Sequence, residues 1–415
     1  MKDGLPDKIS WITNPGARET TQPKVNTSAF SSVATRHARR FHRTLPSFKP
    51  TPLAKLDNLA RQLGVASISV KDESHRCGLN AFKILGASYA LSAHLAHNFD
   101  LSPESMSFTE FQSPELKQKI KDFTCITATD GNHGKAVAWA AGQLGCRAVI
   151  LMPKGTTTAR LESIRDLGAD ARIIDGNYDD AVQLAAEQAH REHWLLIQDT
   201  AWADYEDIPL RVMQGYLTMF DEAIEQMGPA GPTHVFIQCG VGSLAGSLQG
   251  YLVEKYGDRR PLLAVVEPTR AACYFQSIKA RDGKPHRVAG KLDTIMAGLA
   301  CGDPSIISWE ILRNYADVFV ACPDEVAAKG MRMLANPLPG DDRVVSGESG
   351  AVTLGMLINL LEQRQLAPLK KDLNINPDAC ILLFSTEGDT DPEMYRKIVW
   401  DKTKFGSGPA LASGS

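Results

Sequence analysis

Strand signals and helix signals alternate along most of this chain, and the alternation restricts it to the α/β class of folds. Short apolar runs of strand length lie at 66–70, 123–128, 147–152, 171–174, 194–197, 233–238, 262–266 and 380–384. Amphipathic stretches of helical length lie between them, at 83–94, 133–144, 158–167, 180–192, 209–226 and 244–256. Because strand–helix–strand units form right-handed crossovers, we expect open, mostly parallel twisted sheets with helices on both faces.

The spacing of these signals predicts two domains. Four strand signals fall between residues 92 and 195, enough for a small sheet inserted into a larger one. We therefore expect a small α/β domain over 92–195 and a large domain made of 46–91 and 196–405. Residues 1–45 are expected to form a poorly ordered N-terminal arm, and 406–415 a flexible tail.

Composition and charge exclude several classes of function. A net charge of -3 gives no general reason to bind nucleic acid or an anionic membrane. No apolar run reaches the roughly 18 residues that a membrane helix needs. The eight cysteines are scattered, without the spacing of a metal site, so we expect no metal. Free thiols and the absence of a signal peptide favour a reduced, cytoplasmic setting.

A glycine-rich loop, CGVGSLA at 239–245, follows one strand signal and begins a helix. Gly240 and Gly242 let the backbone approach an anion, whose oxygens the free N–H groups of the helix start can bind. The pattern is G-x-G-x-x-x-G and lacks a suitable acidic residue about 20 positions later, which disfavours a dinucleotide. The loop therefore favours a monophosphate, with a tight turn that binds nothing as the alternative.

A polar loop, TDGNHG at 129–134, follows another strand signal. Asn132 could donate a hydrogen bond to a ring oxygen, and the loop N–H groups could bind a carboxylate. The alternative is a turn that caps the next helix. Asp130 would repel the carboxylate of an amino acid unless it handles a proton or a second ammonium group, which favours a cationic substrate.

Lys83 lies at the start of a predicted helix, directly after Phe82. Burial against Phe82 should lower the pKa of this lysine and favour the neutral, nucleophilic amine, although a surface lysine has the same local pattern. A lysine, a polar loop and a glycine-rich loop, in this order, are the parts that a pyridoxal 5'-phosphate (PLP) site requires.

The order of these motifs resembles the fold type II, or tryptophan synthase β-like, family of PLP enzymes over about residues 45–400. The motifs that carry the resemblance are PTPL at 50–53, FK at 82–83, GNH at 131–133 and the glycine-rich loop. Four longer segments are similar to the ammonia-lyases of this family: VKDES at 70–74, QDTAW at 198–202, TIMAGLACG at 294–302 and STEGDTD at 385–391. The family's dehydratases instead carry arginine in place of Leu85 and a small residue in place of Asp130.

The resemblance implies a PLP-dependent α,β-elimination of ammonia from D- and L-2,3-diaminopropionate, giving pyruvate and two molecules of ammonia. It makes Lys83 the Schiff-base lysine, and it makes Lys83, Asp130 and Asp199 the catalytic residues. The implied cofactor-binding residues are Lys83, Asn132, Gly240, Val241, Gly242, Ser243, Leu244 and Thr386. The implied substrate-binding residues are Thr129, Asp130, Gly131, His133 and Asp199.

Two other functions remain open. PLP-dependent serine or threonine dehydration, or β-replacement, would use the same lysine and loops, although Asp130 and Leu85 argue against it. A non-catalytic nucleotide-binding module would use the glycine-rich loop alone and leave Lys83 on the surface. The expected partner is a small amino acid, with no nucleic acid and no membrane. We also expect a homodimer, although the residues themselves do not fix an oligomeric state.

Overall fold

The computed structural model describes residues 8–19, 24–102 and 106–401, which form two sheets covered by helices. In chain order, the strands are β1 (Ser10–Thr13), β2 (Leu53–Lys55), β3 (Ser67–Asp72), β4 (Thr124–Ala128), β5 (Arg147–Met152), β6 (Asp170–Ile173), β7 (Leu195–Leu196), β8 (His234–Gln238), β9 (Leu262–Pro268), β10 (Val318–Cys322) and β11 (Cys380–Ser385). The helices are α1 (Ser32–His42), α2 (Asp57–Leu63), α3 (Lys83–Asn98), α4 (Pro114–Ile120), α5 (Asn132–Leu144), α6 (Thr158–Arg165), α7 (Tyr178–Glu192), α8 (Asp207–Gly215), α9 (Leu217–Met227), α10 (Ser243–Tyr256), α11 (Cys273–Ala280), α12 (Ile306–Tyr315), α13 (Asp324–Ala335), α14 (Glu348–Glu362), α15 (Ala367–Asp372) and α16 (Pro392–Trp400).

The two sheets are mostly parallel, and the α/β prediction is confirmed. The larger sheet has the order β1-β10-β9-β8-β11-β3-β2, and only its edge strands β1 and β2 pair antiparallel. The smaller sheet has the order β6-β5-β4-β7 and is parallel throughout. Its four strands correspond to the four strand signals expected between 92 and 195. The exact domain boundaries stay a prediction.

The strand order of the larger sheet creates a crevice. The chain passes outward from β8 through β9 to β10, and then returns to insert β11 between β8 and β3. Helices on the two sides of such a switch point diverge, so ligands of open α/β sheets bind there, beyond the carboxyl ends of the strands. The glycine-rich loop follows β8, and the STEGDTD segment continues from β11.

Helix α3 is fixed by a close crossing with α8. A Cβ on Gly215 would lie 2.3 Å from the carbonyl oxygen of Leu85, and a Cβ on Gly86 would lie 2.6 Å from the ring of Tyr216. Only glycine allows the two backbones to approach this far. The crossing places the first turn of α3, and with it Lys83, at the crevice.

The prediction of a poorly ordered N-terminal arm is wrong for much of the segment. Strand β1 pairs with β10 at the edge of the larger sheet, and α1 buries Ala38 and Phe41 in the core. The run that contains Trp11 and Ile12 is only four residues long, so its pairing depends on a distant strand that the local sequence does not reveal. The predicted tail at 406–415 lies outside the described residues.

The helix predicted over 209–226 is in fact two helices, α8 and α9. They meet at Tyr216, whose N–H group donates to the carbonyl oxygen of Met213 at 3.2 Å. This bond reaches back three residues, as in a 3₁₀ turn, and interrupts the α-helical ladder. Within the described part of the chain, no helix has both the length and the apolar character needed to cross a bilayer.

Candidate active site

Lys83 lies next to the carboxyl end of β11 because the residues before it are tied to the segment that follows this strand. The N–H group of Phe82 donates to the carbonyl oxygen of Thr386 at 3.0 Å, and Ala81 forms a β-bridge with Glu387. Lys83 then begins α3. The predicted lysine and the predicted Thr386 are thus brought together by backbone contacts.

The hydroxyl of Thr386 is held by the neighbouring strand. The side-chain amide of Gln238, at the end of β8, donates to Thr386 Oγ1 at 2.7 Å and to the carbonyl oxygen of Phe384 at 2.9 Å. The other amide atom, Gln238 Oε1, is buried and has no partner among the described residues. Buried polar atoms are almost always hydrogen-bonded, so this oxygen and the Thr386 hydroxyl suit a polar ligand.

The glycine-rich loop approaches its surroundings too closely for side chains. Gly242 has a φ of +99°, and a Cβ there would lie 1.9 Å from the hydroxyl oxygen of Tyr274. A Cβ on Gly240 would lie 3.1 Å from the carbonyl oxygen of Gly298. Helix α10 begins at Ser243, and the N–H groups of its first turn have no acceptor within the helix. The loop is therefore a backbone cradle suited to an anion.

The polar loop at 129–134 is shaped by the hydroxyl of Thr129. This oxygen accepts hydrogen bonds from the N–H groups of Gly131 at 2.9 Å and Gly134 at 3.0 Å. The turn it forms leads into α5, whose first residue is Asn132. The Asn132 amide donates to the carboxylate of Glu387, so one of its two N–H groups is already engaged.

Asp199 is held between the two sheets' loops. The side chain of Gln198 accepts from the N–H group of Ala128 at 3.0 Å and donates to its carbonyl oxygen at 3.2 Å, which joins the end of β4 to the segment after β7. The Ser243 hydroxyl donates to the carbonyl oxygen of Asp199. Asp199 is therefore fixed between the end of β4 and the glycine-rich loop.

Lys83 and Asp199 form an ion pair, which corrects the expected pKa of the lysine. Burial would lower the pKa of Lys83, but the Asp199 carboxylate outweighs burial and holds the pKa above its ordinary value. Burial would likewise raise the pKa of Asp199, but Lys83 lowers it to about 2. Without a cofactor the lysine is therefore charged, because its partner is a buried carboxylate and not only the ring of Phe82.

His133 adds a neutral acceptor to this pair. Its ring is buried, and Nε2 donates to the carbonyl oxygen of Ile197 at 2.8 Å. Burial lowers the pKa of His133, so the ring is neutral at pH 7. Nδ1 then carries a lone pair; it lies 3.9 Å from Asp199 Oδ2 and has no hydrogen-bond partner in the described ranges.

Two adjoining cavities contain most of the predicted site. They share Lys83, Asp130, Val241 and Gly298. The first cavity is also lined by Asn132, Gly240, Gly242, Ser243, Leu244 and Thr386. The second, of about 310 Å³, is also lined by Thr129, His133 and Asp199. Gly131 alone of the predicted residues lines neither cavity, because the side chain of Arg160 passes over it.

Several lining residues were not found from the sequence. Gly298 and Cys301 lie in the TIMAGLACG segment, and Glu387 lies in STEGDTD, so the resemblance marked their segments without marking the residues. Arg160 and Tyr178 line the second cavity and come from α6 and α7. A single arginine or tyrosine near the start of an amphipathic helix carries no local signal of a site.

The residues present fit PLP. Lys83 supplies the amine, the loop at 240–244 supplies an anion cradle, and Thr386 supplies a neutral hydroxyl. Ser349 Oγ also lines the first cavity and, like Gln238 Oε1, is buried without a partner among the described residues. These unpaired polar atoms are what a polar ring with a phosphate group would satisfy.

Comparison with known proteins defines the class. The chain belongs to the family of pyridoxal-phosphate dependent enzymes, whose profile matches residues 44–376. The fold type II prediction and the PLP prediction are thereby confirmed.

Individual relatives are similar to this chain over most of their length. The diaminopropionate ammonia-lyase of Salmonella typhimurium is 51% identical over 365 residues, which are 87% of this chain and 90% of that protein. The diaminopropionate ammonia-lyase of Escherichia coli K12 is 48% identical over 375 residues, 90% of this chain and 92% of that protein. A crystal structure of the E. coli enzyme with an aminoacrylate-PLP azomethine reaction intermediate matches with a TM-score of 0.86 at 45% identity, covering 97% of this chain and 99% of that one. The resemblance to ammonia-lyases is confirmed.

Proposed function

We propose that this protein catalyses the PLP-dependent α,β-elimination of ammonia from D- and L-2,3-diaminopropionate, giving pyruvate and two molecules of ammonia. The observation that carries the proposal is that Asp130 and Asp199 line one cavity with Lys83, in a chain 51% identical to a diaminopropionate ammonia-lyase. Two carboxylates beside the amine suit a substrate that brings a second ammonium group.

The cofactor side of the site follows from its contacts. PLP, when bound, supplies an electron sink that stabilises negative charge at the substrate's α-carbon. Lys83 would hold the cofactor through its amine, and the N–H groups at 240–244 would hold the phosphate. Thr386, fixed by Gln238, would present a neutral group to the ring nitrogen. Asn132 has one N–H group engaged by Glu387 and a second available for the ring oxygen.

The Lys83–Asp199 pair suggests how the base is activated. Asp199 keeps Lys83 charged while the two are paired. A substrate whose β-ammonium binds Asp199 gives this carboxylate a second cation, which weakens its hold on the lysine proton. Lys83, whose side chain is 20% exposed, can then pass its proton to solvent and, as a neutral amine, remove the α-proton of the L-isomer. The substrate's own charge would thus switch on the base.

The remaining roles concern the second isomer and the leaving group. Asp130 would remove the α-proton of the D-isomer. The neutral Nδ1 of His133 would accept a hydrogen bond from the β-ammonium beside Asp199, which orients the group before it departs as ammonia. Neither Asp199 nor His133 is needed for a β-hydroxyl, which favours ammonia elimination over serine or threonine dehydration.

The test is a substrate panel with the purified holoenzyme. We expect both isomers of 2,3-diaminopropionate to yield pyruvate and ammonia in a 1:2 ratio, and L-serine and L-threonine to be turned over far more slowly. Faster turnover of serine or threonine than of either diaminopropionate isomer would contradict the proposal in favour of a dehydratase. A protein that binds no PLP would instead support the nucleotide-binding module.

We further propose a homodimer in the cytoplasm. Since the chain has a mass of 45.2 kDa, light scattering of the holoenzyme should give about twice this value. A mass equal to that of one chain would contradict the proposed assembly. Cell fractionation with an antibody to the protein would test the location.

A further inference from the structure

Arg160 reaches the substrate cavity from the smaller sheet's side. It belongs to α6 and lines the cavity that contains Lys83, Asp130 and Asp199. A Cβ built on Gly131 would lie 3.4 Å from Arg160 Cδ and 3.8 Å from Cγ. The aliphatic part of the arginine therefore packs on the polar loop, where glycine leaves room for it, and directs the guanidinium to the cavity.

The guanidinium of Arg160 has no bonding partner among the described residues. Within the described residues, it forms no hydrogen bond and no ion pair; the bonded groups of Arg160 are its backbone N–H group, which donates to Thr157 Oγ1, and its carbonyl oxygen, which accepts from Ser163. Arg165, on the same helix, differs: its guanidinium donates to the carbonyl oxygen of Ala171 and to Glu162. Five N–H donors in a planar fork without acceptors suit a ligand with a planar pair of oxygens.

The charge of Arg160 is secure. Burial would lower the pKa of this side chain, but the carboxylates around the cavity outweigh burial and raise it. The carboxylates that face it come from three segments and are Asp130, Glu348, and Glu387 with Asp391 from the STEGDTD segment. In the described structure, none of these carboxylates is within ion-pairing distance of the guanidinium. Its N–H groups therefore remain available to a ligand.

The proposed substrate needs such a cation. 2,3-Diaminopropionate carries one carboxylate and two amino groups, and Asp130 and Asp199 attract the amino groups but repel the carboxylate. Lys83 cannot offset this repulsion, because it is paired with Asp199 and would be joined to the cofactor. The lining also contains Lys154 and Lys291, but Lys154 is paired with Asp175, whereas Arg160 packs on the loop that carries Asp130. A carboxylate that binds beside Asp130 is therefore best offset by Arg160.

We infer that Arg160 binds the α-carboxylate of the substrate through its guanidinium and offsets the negative charge of Asp130. This inference rests on the proposed function and adds to it a positioning residue that selects α-amino acids with a free carboxylate. The fork of the guanidinium would make two parallel N–H···O bonds, which fix the orientation of the α-carbon between Lys83 and Asp130.

The test is a binding preference in an enzyme that cannot turn over. Borohydride-reduced holoenzyme is titrated in a calorimeter with L-2,3-diaminopropionate and with its α-carboxamide, which keeps both amino groups but lacks the carboxylate. We expect the wild type to bind the acid more tightly than the amide. In Arg160→Gln this preference should fall on the order of 10- to 100-fold, the usual worth of hydrogen bonds between charged groups. Arg160→Lys should retain part of the preference, since the charge stays but the fork is lost.

Arg165→Gln is the matched control, because it makes the same change on the same helix at a guanidinium that is already bonded to Ala171 and Glu162. It should keep the wild-type preference. If Arg160→Gln weakens acid and amide equally, or leaves the preference unchanged, Arg160 has a structural role only and the inference is overturned. The proposed function is judged separately, by whether the unreduced wild type makes pyruvate from the diamino acid.

Discussion

The two sides of the site are built in different ways. The cofactor side consists of the loop at 240–244 and Thr386, which follow β8 and β11 of the larger sheet. It presents backbone N–H groups and a hydroxyl, packed so closely that glycine is required. The substrate side consists of the polar loop at 129–134 apart from Asn132, which lines the cofactor cavity, and of Asp199 and Arg160, from the smaller sheet's loops and helix α6. It presents charged side chains around a larger cavity.

This difference assigns different jobs to the two sides. Backbone groups held by close packing can grip an anion of fixed shape, but they offer little choice between substrates. Charged side chains distinguish an ammonium from a hydroxyl and one enantiomer from another. Changes on the cofactor side should therefore alter cofactor retention, and changes on the substrate side should alter which molecules react and how fast.

Lys83 belongs to both sides, and its removal should have the largest effect. Lys83→Ala takes away the covalent anchor, the proton acceptor and the partner of Asp199. We expect a loss of turnover on both isomers on the order of 10,000-fold, at the upper end of what a positioned proton acceptor contributes. The measurement is pyruvate formation, with peptide mapping after borohydride reduction. Wild-type labelling should fall on Lys83 and should persist in the control Lys119→Ala, an exposed lysine. A label on another residue would contradict the assignment.

Asp130→Asn should lower the turnover efficiency on the D-isomer much more than on the L-isomer. The amide keeps the size of the side chain but cannot accept the α-proton, so the D-isomer should lose roughly 100-fold or more of its turnover efficiency. The L-isomer should lose distinctly less, since Lys83 serves it. The measurement is kcat/KM on each pure enantiomer. Equal losses would show that Asp130 holds the substrate and does not act as a base for one face.

Gly242→Ala tests the cofactor side alone. Its Cβ would collide with the hydroxyl of Tyr274, which donates to the carbonyl oxygen of Val241 at 2.8 Å and so braces the loop. We expect PLP to bind roughly 10-fold more weakly or worse, and the free energy of unfolding to fall by about 1–3 kcal/mol from backbone strain at positive φ.

Gly64→Ala is the control for this change, because Gly64 has a φ of +74° and open space around its Cβ position. It should lose stability through strain but keep its affinity for PLP. Equal PLP affinity in Gly242→Ala and the wild type would mean that the loop does not grip the phosphate through close approach.

The two sides also differ in how far the sequence predicts them. The glycine-rich loop is a local pattern after a strand, so its place and its suitability for an anion follow from neighbouring residues. The charges of the substrate side depend on segments far apart in the chain. Phe82 predicted a lowered pKa for Lys83, whereas Asp199, 116 positions later, raises it. Arg160 is recognisable as a site residue only from its position beside Asp130 and Gly131, and the sequence of its own helix does not indicate that position. Strand β1 was missed for the same reason, because its partner β10 is remote.

The smallest effect on catalysis should come from replacing His42, whose ring is hydrogen-bonded to Leu85 in α3. Its ring is fully buried, and Nε2 donates to the carbonyl oxygen of Leu85 at 2.9 Å, while Thr218 Oγ1 lies 2.7 Å from Nδ1. Burial lowers the pKa of His42 to about 3, whereas an unfolded histidine has a pKa of about 6.5. Between these pH values the ring is protonated in the unfolded chain but not in the folded chain. The stability that His42 contributes is therefore complete above pH 6.5 and falls as the pH drops. His42 contributes at most about 1.4 kcal/mol per pH unit to the slope of the free energy of unfolding against pH.

His42→Gln should therefore lose less stability than the wild type between pH 7.5 and pH 5.5 in urea unfolding, with little change in turnover at pH 7.5. An unchanged slope would mean that His42 is not held neutral in the core, whereas a large loss of turnover would mean that the position of α3 depends on this ring more than on its crossing with α8.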